Sequence, residues 1–173
     1  MEAPITDRRM ITQANPSEFR VDKRRRDAMV TLSSGDSTRG CFFTAEGSTR
    51  HDGPERVSEL LNSEVGFFPF EIHQDESTRT VLYNRAHVVL VALAENEERY
   101  DAGYTVATRR FVSILLSNGQ RVIGAVRVYR PEGRDRLSDW ARQSETFRYL
   151  ETGDMTLLIN AAHIVDVSEV PEA

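Results

Sequence analysis

Apolar and polar positions alternate along residues 29–32 (Met-Val-Thr-Leu) and 111–116 (Phe-Val-Ser-Ile-Leu-Leu), which predicts a half-buried strand at each place. A turn follows at once. Ser34-Gly35-Asp36 and Asn118-Gly119-Gln120 put glycine where a tight hairpin needs positive φ, and Asn-Gly is the strongest short hairpin signal. The returning strands carry Gly40 and Gly124 inside them, and an interior strand glycine marks a sharp bend or a close backbone approach. Such bending is what a small barrel needs.

Beyond each hairpin the period changes. Residues 53–62 and 133–142 place Val57, Leu60, Leu61 and Leu137, Trp140, Ala141 at helical spacing over about two turns, with Pro54 suited to a first turn. A helix so short has to lay its apolar edge on a sheet, which makes Trp140 a core residue. Residues 67–71 and 147–151 predict a third strand, and Pro69 puts it at an edge or a bulge in the first segment. Residues 80–84 with 87–93, and 155–160 with 163–170, predict closing hairpins around Arg85-Ala86 and Ala161-Ala162. In those last strands period two sets His87, Val89 and Val91, or His163, Val165 and Val167, on one face.

The two series are one series written twice. Arg25, Arg26, Leu32, Ser33, Gly35 and Gly40 recur at an offset of 84 as Arg109, Arg110, Leu116, Ser117, Gly119 and Gly124. Further along, Glu71 meets Glu151 at an offset of 80, and Leu82, Asn84, Ala86 and His87 meet Leu158, Asn160, Ala162 and His163 at 76. Average residue usage gives a match at roughly one position in seventeen, so the agreement is well above chance. The expected organisation is a flexible basic segment over 1–27, a first module over 28–94, a linker over 95–108 and a second module over 109–170. Each module is too small to bury much surface alone, so the two are expected to pack together or against a partner.

Charge bears on partners. Residues 1–27 carry seven Arg or Lys against five acids, leaving 15 against 22 for the rest of a chain of 173 residues. Nucleic-acid affinity comes mainly from basic groups displacing counterions, so an acidic body disfavours phosphate tracking. The dense basic run Lys23, Arg24, Arg25, Arg26, with Arg109, Arg110 and Arg85, supplies the candidate contacts for an anion or a nucleic acid. The single cysteine, Cys41, excludes an internal disulfide and reads as a small apolar strand residue. With no signal-peptide core and no apolar run of membrane length, the expected location is cytoplasmic, without membrane insertion.

Candidate chemistry is sparse. No nucleophile elbow, phosphate loop or zinc signature is present, so no catalytic residue, cofactor site or metal site is assigned and a non-enzymatic role is expected. His87 and His163 have no ligand-spaced neighbours and read as hydrogen-bonded residues at a core rim. Asn84 and Asn160 read as side-chain caps of the last turn. With Gly35, Gly40, Gly119 and Gly124, these repeated residues are assigned to structure.

The run VSILLSNGQRVIGAVRVY resembles the first motif of Sm-like proteins, and LLINAAHIVDVSEV is similar to the second. The whole unit, with RVSEL or RLSDW and the N-x-A-H turn, also resembles small uncharacterised bacterial barrel domains. The resemblance implies a mainly β fold of two tandem Sm-like barrels, each of about five strands with one short helix before the third. Because Sm-like proteins form rings through edge strands and bind RNA, it implies self-association or a protein partner, with RNA or nucleotide binding as the alternative. Arginine pairs leading into a barrel are similar to cyclic-dinucleotide-binding PilZ domains, a further alternative.

Overall fold

A computed structural model describes residues 23–74 and 77–172, and of Gln74 the backbone alone. The chain runs β1 (Lys23–Leu32), β2 (Ser37–Ala45), α1 (Val57–Ser63), β3 (Phe67–Gln74), β4 (Ser77–Asn84) and β5 (Val88–Leu93). The same order returns in β6 (Thr108–Leu116), β7 (Arg121–Val128), α2 (Leu137–Ala141), β8 (Phe147–Glu151), β9 (Thr156–Asn160) and β10 (Ile164–Glu169). All ten strands pair antiparallel in one open sheet, ordered β10-β6-β7-β8-β9-β5-β1-β2-β3-β4. The fold is mainly β, but the expected pair of separate barrels is replaced by a single sheet. Its cause is the β5–β9 ladder, which pairs Leu90 with Ile159 and Leu93 with Thr156 and so joins the halves.

Local chemistry explains the repeated turns. Gly35 and Gly119 adopt φ of 93° and 84°, and each donates its N–H to the carbonyl of Leu32 or Leu116 at 2.9 Å. Gly40 and Gly124 serve a different need. A Cβ at either would overlap the backbone carbonyl oxygen of Glu71 or Glu151, so glycine lets the second and third strands of each half come together. Pro69 is accommodated because β3 pairs with β2 only at Ile72 and Glu71, and its Phe67–Phe70 half has left that ladder.

The closing segments are not hairpins. After β4 the chain makes a single 3₁₀ turn, Arg85–His87, and β5 crosses to the other side of β1, leaving β4 at the outer edge. Ala161–His163 does the same between β9 and β10. A β-bulge follows each corner: Leu32 pairs with Val88 but Thr31 with Leu90, and Leu116 pairs with Ile164 but Leu115 with Asp166. The extra residue flips the face. Val89 and Val91 therefore pack in different cores, and Val165 is exposed while Val167 is packed, so the expected single stripes are broken.

Two cores lie on opposite faces of the joint, and each draws on both halves. Val89, Leu90 and Ala92 of β5 join the second half's core around Val126, Trp140 and Leu150. Leu158 and Phe147 join the first half's core around Phe42, Phe68 and Phe70. Each fully buried side chain of this kind contributes roughly 1.5–3 kcal/mol, so neither half completes its core alone. The helices begin later than their spacing suggested, at Val57 and Leu137, which puts Pro54 in the preceding loop and leaves Ala141 exposed.

The assigned N-terminal segment and linker also differ from expectation. Residues 1–22 lie outside the described residues, but Lys23 to Asp27 form the first half of β1, paired to β2 from Lys23↔Ala45 onward. Glu97–Tyr100 in the linker is a 3₁₀ turn with Glu97 and Glu98 buried, so this segment packs between the halves. Among the described residues no helix is long and apolar enough to cross a membrane.

Candidate functional site

The assigned basic residues are mostly paired with acids. On β1, Arg24 meets Glu46 at 3.3 Å, Arg25 meets Glu71 at 2.6 Å and Arg26 meets Glu95 at 2.8 Å. On β6, Arg109 meets Glu172 at 3.3 Å, and Arg110 meets Asp135 at 3.3 Å and Glu169 at 3.5 Å. Lys23 is exposed, but the rest form no free basic surface. Arg85 is buried and donates to the carbonyls of Phe67 at 2.6 Å and Leu60 at 3.1 Å, closing the C-terminal end of α1. Burial lowers its pKa, and its task is to tie the carbonyl of Leu60 in α1 to that of Phe67 at the start of β3.

The repeated Asn and His residues gather at the joint between the halves. Asn160 Oδ1 accepts from Ala162 N–H at 3.0 Å, while its Nδ2 donates to the carbonyls of Val88 at 2.8 Å and Arg85 at 3.2 Å. His163 Nδ1 lies 2.6 Å from Ser117 Oγ, and its Nε2 lies 2.8 Å from the carbonyl of Ala86. With Nε2 donating to that carbonyl, Nδ1 accepts the serine proton. Both residues thus clamp the corner of the first half to the second. In the first half Asn84 Oδ1 caps Ala86 N–H at 3.0 Å, and His87 Nδ1 lies 3.5 Å from Ser33 Oγ. Among the described residues, Asn84 Nδ2 and His87 Nε2 have no counterpart of the clamp.

A cleft of 870 Å³ opens between the two helices and the linker, lined by Arg56, Glu98, Tyr129, Trp140, Arg148 and Tyr149 among others. Its floor is polar. Glu97 accepts Val57 N–H at 3.0 Å and so caps α1 from the linker; burial pushes its carboxyl up, against the pull of that bond. Burial pushes the Glu98 carboxyl up to about 7, opposed by the Tyr129 hydroxyl that it accepts. Glu151 is also raised by burial, but Tyr104, Arg127 and Asn96 donate to it at 2.5, 3.2 and 3.1 Å and hold it below the usual range. Arg148 wraps the end of α2, donating to the carbonyls of Trp140, Ala141, Gln143 and Glu145.

At the cleft His51 Nε2 lies 3.1 Å from Glu59 Oε2, and Ser48 donates to the other oxygen of that carboxylate at 2.9 Å; among the described residues no hydrogen bond joins the His51 ring to a hydroxyl. Ser58 Oγ lies 2.5 Å from Tyr149 Oη rather than facing an imidazole, and His163 is engaged by Ser117 and Ala86. One grouping had no signal along the chain: Cys41 lies opposite Glu71 in the β2–β3 ladder, with His73 two residues further on. Their ligand atoms lie within 4.8 Å of one another. Cys41 and His73 are 32 positions apart, and only the register of β3 unites them.

No known protein family, curated protein or solved structure matches this chain.

Proposed function

We propose that the chain is a non-enzymatic assembly module that binds a second copy of itself head to tail, β10 of one copy pairing with β4 of the next. The carrying observation is the internal β5–β9 joint, because both of its sides recur in the sequence at the open edges. Moved by 76 positions, its register sets Asp166, Val167, Ser168 and Glu169 opposite Tyr83, Leu82, Val81 and Thr80. The clamp moves with it. Asn84 and His87 would bond the corner around Ala161 and Ala162 as Asn160 and His163 bond that around Arg85 and Ala86.

Edge chemistry supports this pairing. Leu82 is 63% exposed on β4, a strand with Arg79 and no acid, while β10 and the residues after it carry Asp166, Glu169 and Glu172 and no base. Asp166, Glu169 and Glu172 already meet Arg121, Arg110 and Arg109 of the same chain, so the contact rests on backbone pairing and on the exposed Leu82 more than on charge. The charges on β10 also make it a poor template for unspecific strand addition. Each half is further read as a strongly bent, Sm-like unit that stays open within the common sheet, a bend with which the tight contacts at Gly40 and Gly124 agree. A head-to-tail contact of this kind closes into a ring or runs on as a filament, according to its rotation.

Light scattering on the full chain over a range of concentrations tests the reading. Masses above the 19.6 kDa monomer are expected, with return to monomer in Leu82→Lys combined with Asn84→Ala and no change in circular dichroism. A monomer at every concentration, or an edge variant that assembles unchanged, overturns it.

A further inference from the structure

We propose that Cys41, Glu71 and His73 bind a divalent ion of the zinc class on the first half, independently of any assembly. Cys41 Sγ lies 3.8 Å from Glu71 Oε1, and His73 follows Glu71 by two residues on the same face of β3. All three ligand atoms fall within 4.8 Å of one another, so small side-chain rotations bring them around one ion.

The surroundings of the thiol are unlike those of a packing cysteine. Cys41 is buried, yet it belongs to neither apolar core and lies on the opposite face from Phe42. Polar groups cover it. Arg25 places Nη2 2.6 Å from Glu71 Oε1 and 3.4 Å from His73 Nε2, so a cation already sits among the ligand atoms. That guanidinium is half exposed on a flexible stem and can swing into solvent as the ion enters.

The second half serves as an internal comparison. Ala125 and Gly153 stand where Cys41 and His73 stand, while Glu151 is kept and pairs with Arg127. An ion pair at this glutamate is therefore common to both halves, and the thiol and imidazole are additions to the first. Thiolate, imidazole and carboxylate together suit Zn²⁺ and other borderline-soft ions, whereas Mg²⁺ and Ca²⁺ take oxygen ligands. Three protein ligands leave a fourth position for water. On binding, the Cys41 proton passes to solvent and His73 coordinates as the neutral ring.

The test is titration of the chelator-treated full chain with Co²⁺, followed by displacement with Zn²⁺. Binding through Cys41 gives a thiolate-to-cobalt charge-transfer band that Zn²⁺ abolishes. His73→Ala and Glu71→Gln are each expected to weaken binding at least the roughly tenfold that loss of even an outer partner costs, and Arg25→Gln to strengthen it. His73 is exposed, so its variant tests the site without disturbing a core. Absence of the band, or a band of unchanged affinity in His73→Ala, overturns the proposal.

Discussion

Tyr129 donates its hydroxyl to Glu98 Oε1 at 3.0 Å, while Oε2 of the same buried carboxyl has no partner among the described residues. Half of this carboxyl is solvated by the protein and half is not. Burial therefore favours the protonated form, and the pKa rises from the usual 4.5 to about 7. The unfolded chain gives up this proton near pH 4.5 and the folded chain near 7. Glu98 thus costs nothing below pH 4.5, and its cost grows as pH rises to about 7. Replacing it with Gln removes a cost on the order of 2–3 kcal/mol at neutral pH. Urea unfolding of both proteins should show the Glu98→Gln advantage growing between pH 5 and 8. A difference independent of pH would sink this account.

Asn160 and Asn84 occupy equivalent corners with unequal duties. Removing Asn160 strands two buried carbonyls and one N–H, so Asn160→Ala should cost about 3 kcal/mol. Asn84→Ala removes a single cap and should cost the folded monomer about 1 kcal/mol. Equal losses in dilute unfolding experiments would contradict the clamp.

Gly40 and Gly124 test the close approach of the strands. Neither has a positive φ, so an alanine there suffers through contact with a carbonyl and not through its own backbone. Gly40→Ala and Gly124→Ala should each cost about 1–3 kcal/mol or more, whereas Gly47→Ala meets open space and should be near neutral. Calorimetric midpoints distinguish these outcomes.

Arg148 both ends α2 and covers Trp140, its guanidinium 5.3 Å from the ring. Trp140 is the sole tryptophan and is buried, so its emission reports this lid. Arg148→Ala should red-shift the fluorescence and destabilise the chain by about 2 kcal/mol, with Arg148→Lys recovering little because one ammonium cannot reach four carbonyls. Unshifted emission from a folded Arg148→Ala protein would refute the lid.

What could be read along the chain was whatever local chemistry determines. Gly35 and Gly119 announced their turns, and Gly40 and Gly124 their crowded strands, since in each case the cause lies within a few residues. Val57, Leu61 and Trp140 marked a buried helical edge by spacing alone. The corners at Asn84 and Asn160 read as hairpins along the chain because a β-strand carries no mark of its partner, and β5 pairs with β9 63 to 69 positions away. The bulges after those corners then reversed the expected faces. Arg85 looked like a surface charge because its acceptors, the carbonyls of Leu60 and Phe67, have no side-chain signature. Cys41 reads as a lone strand residue for the same reason: the β2–β3 ladder that brings His73 near it has only two paired positions.

The position of β5 has a consequence for how the chain is made. Its six residues are all buried, and β9 is one of its two neighbours. At synthesis rates of about 5–20 residues per second, the stretch from Leu93 to Asn160 takes roughly 3–13 s to emerge. Throughout that interval the most apolar strand of the protein waits on the ribosome with one edge uncovered, longer than a hairpin needs to form.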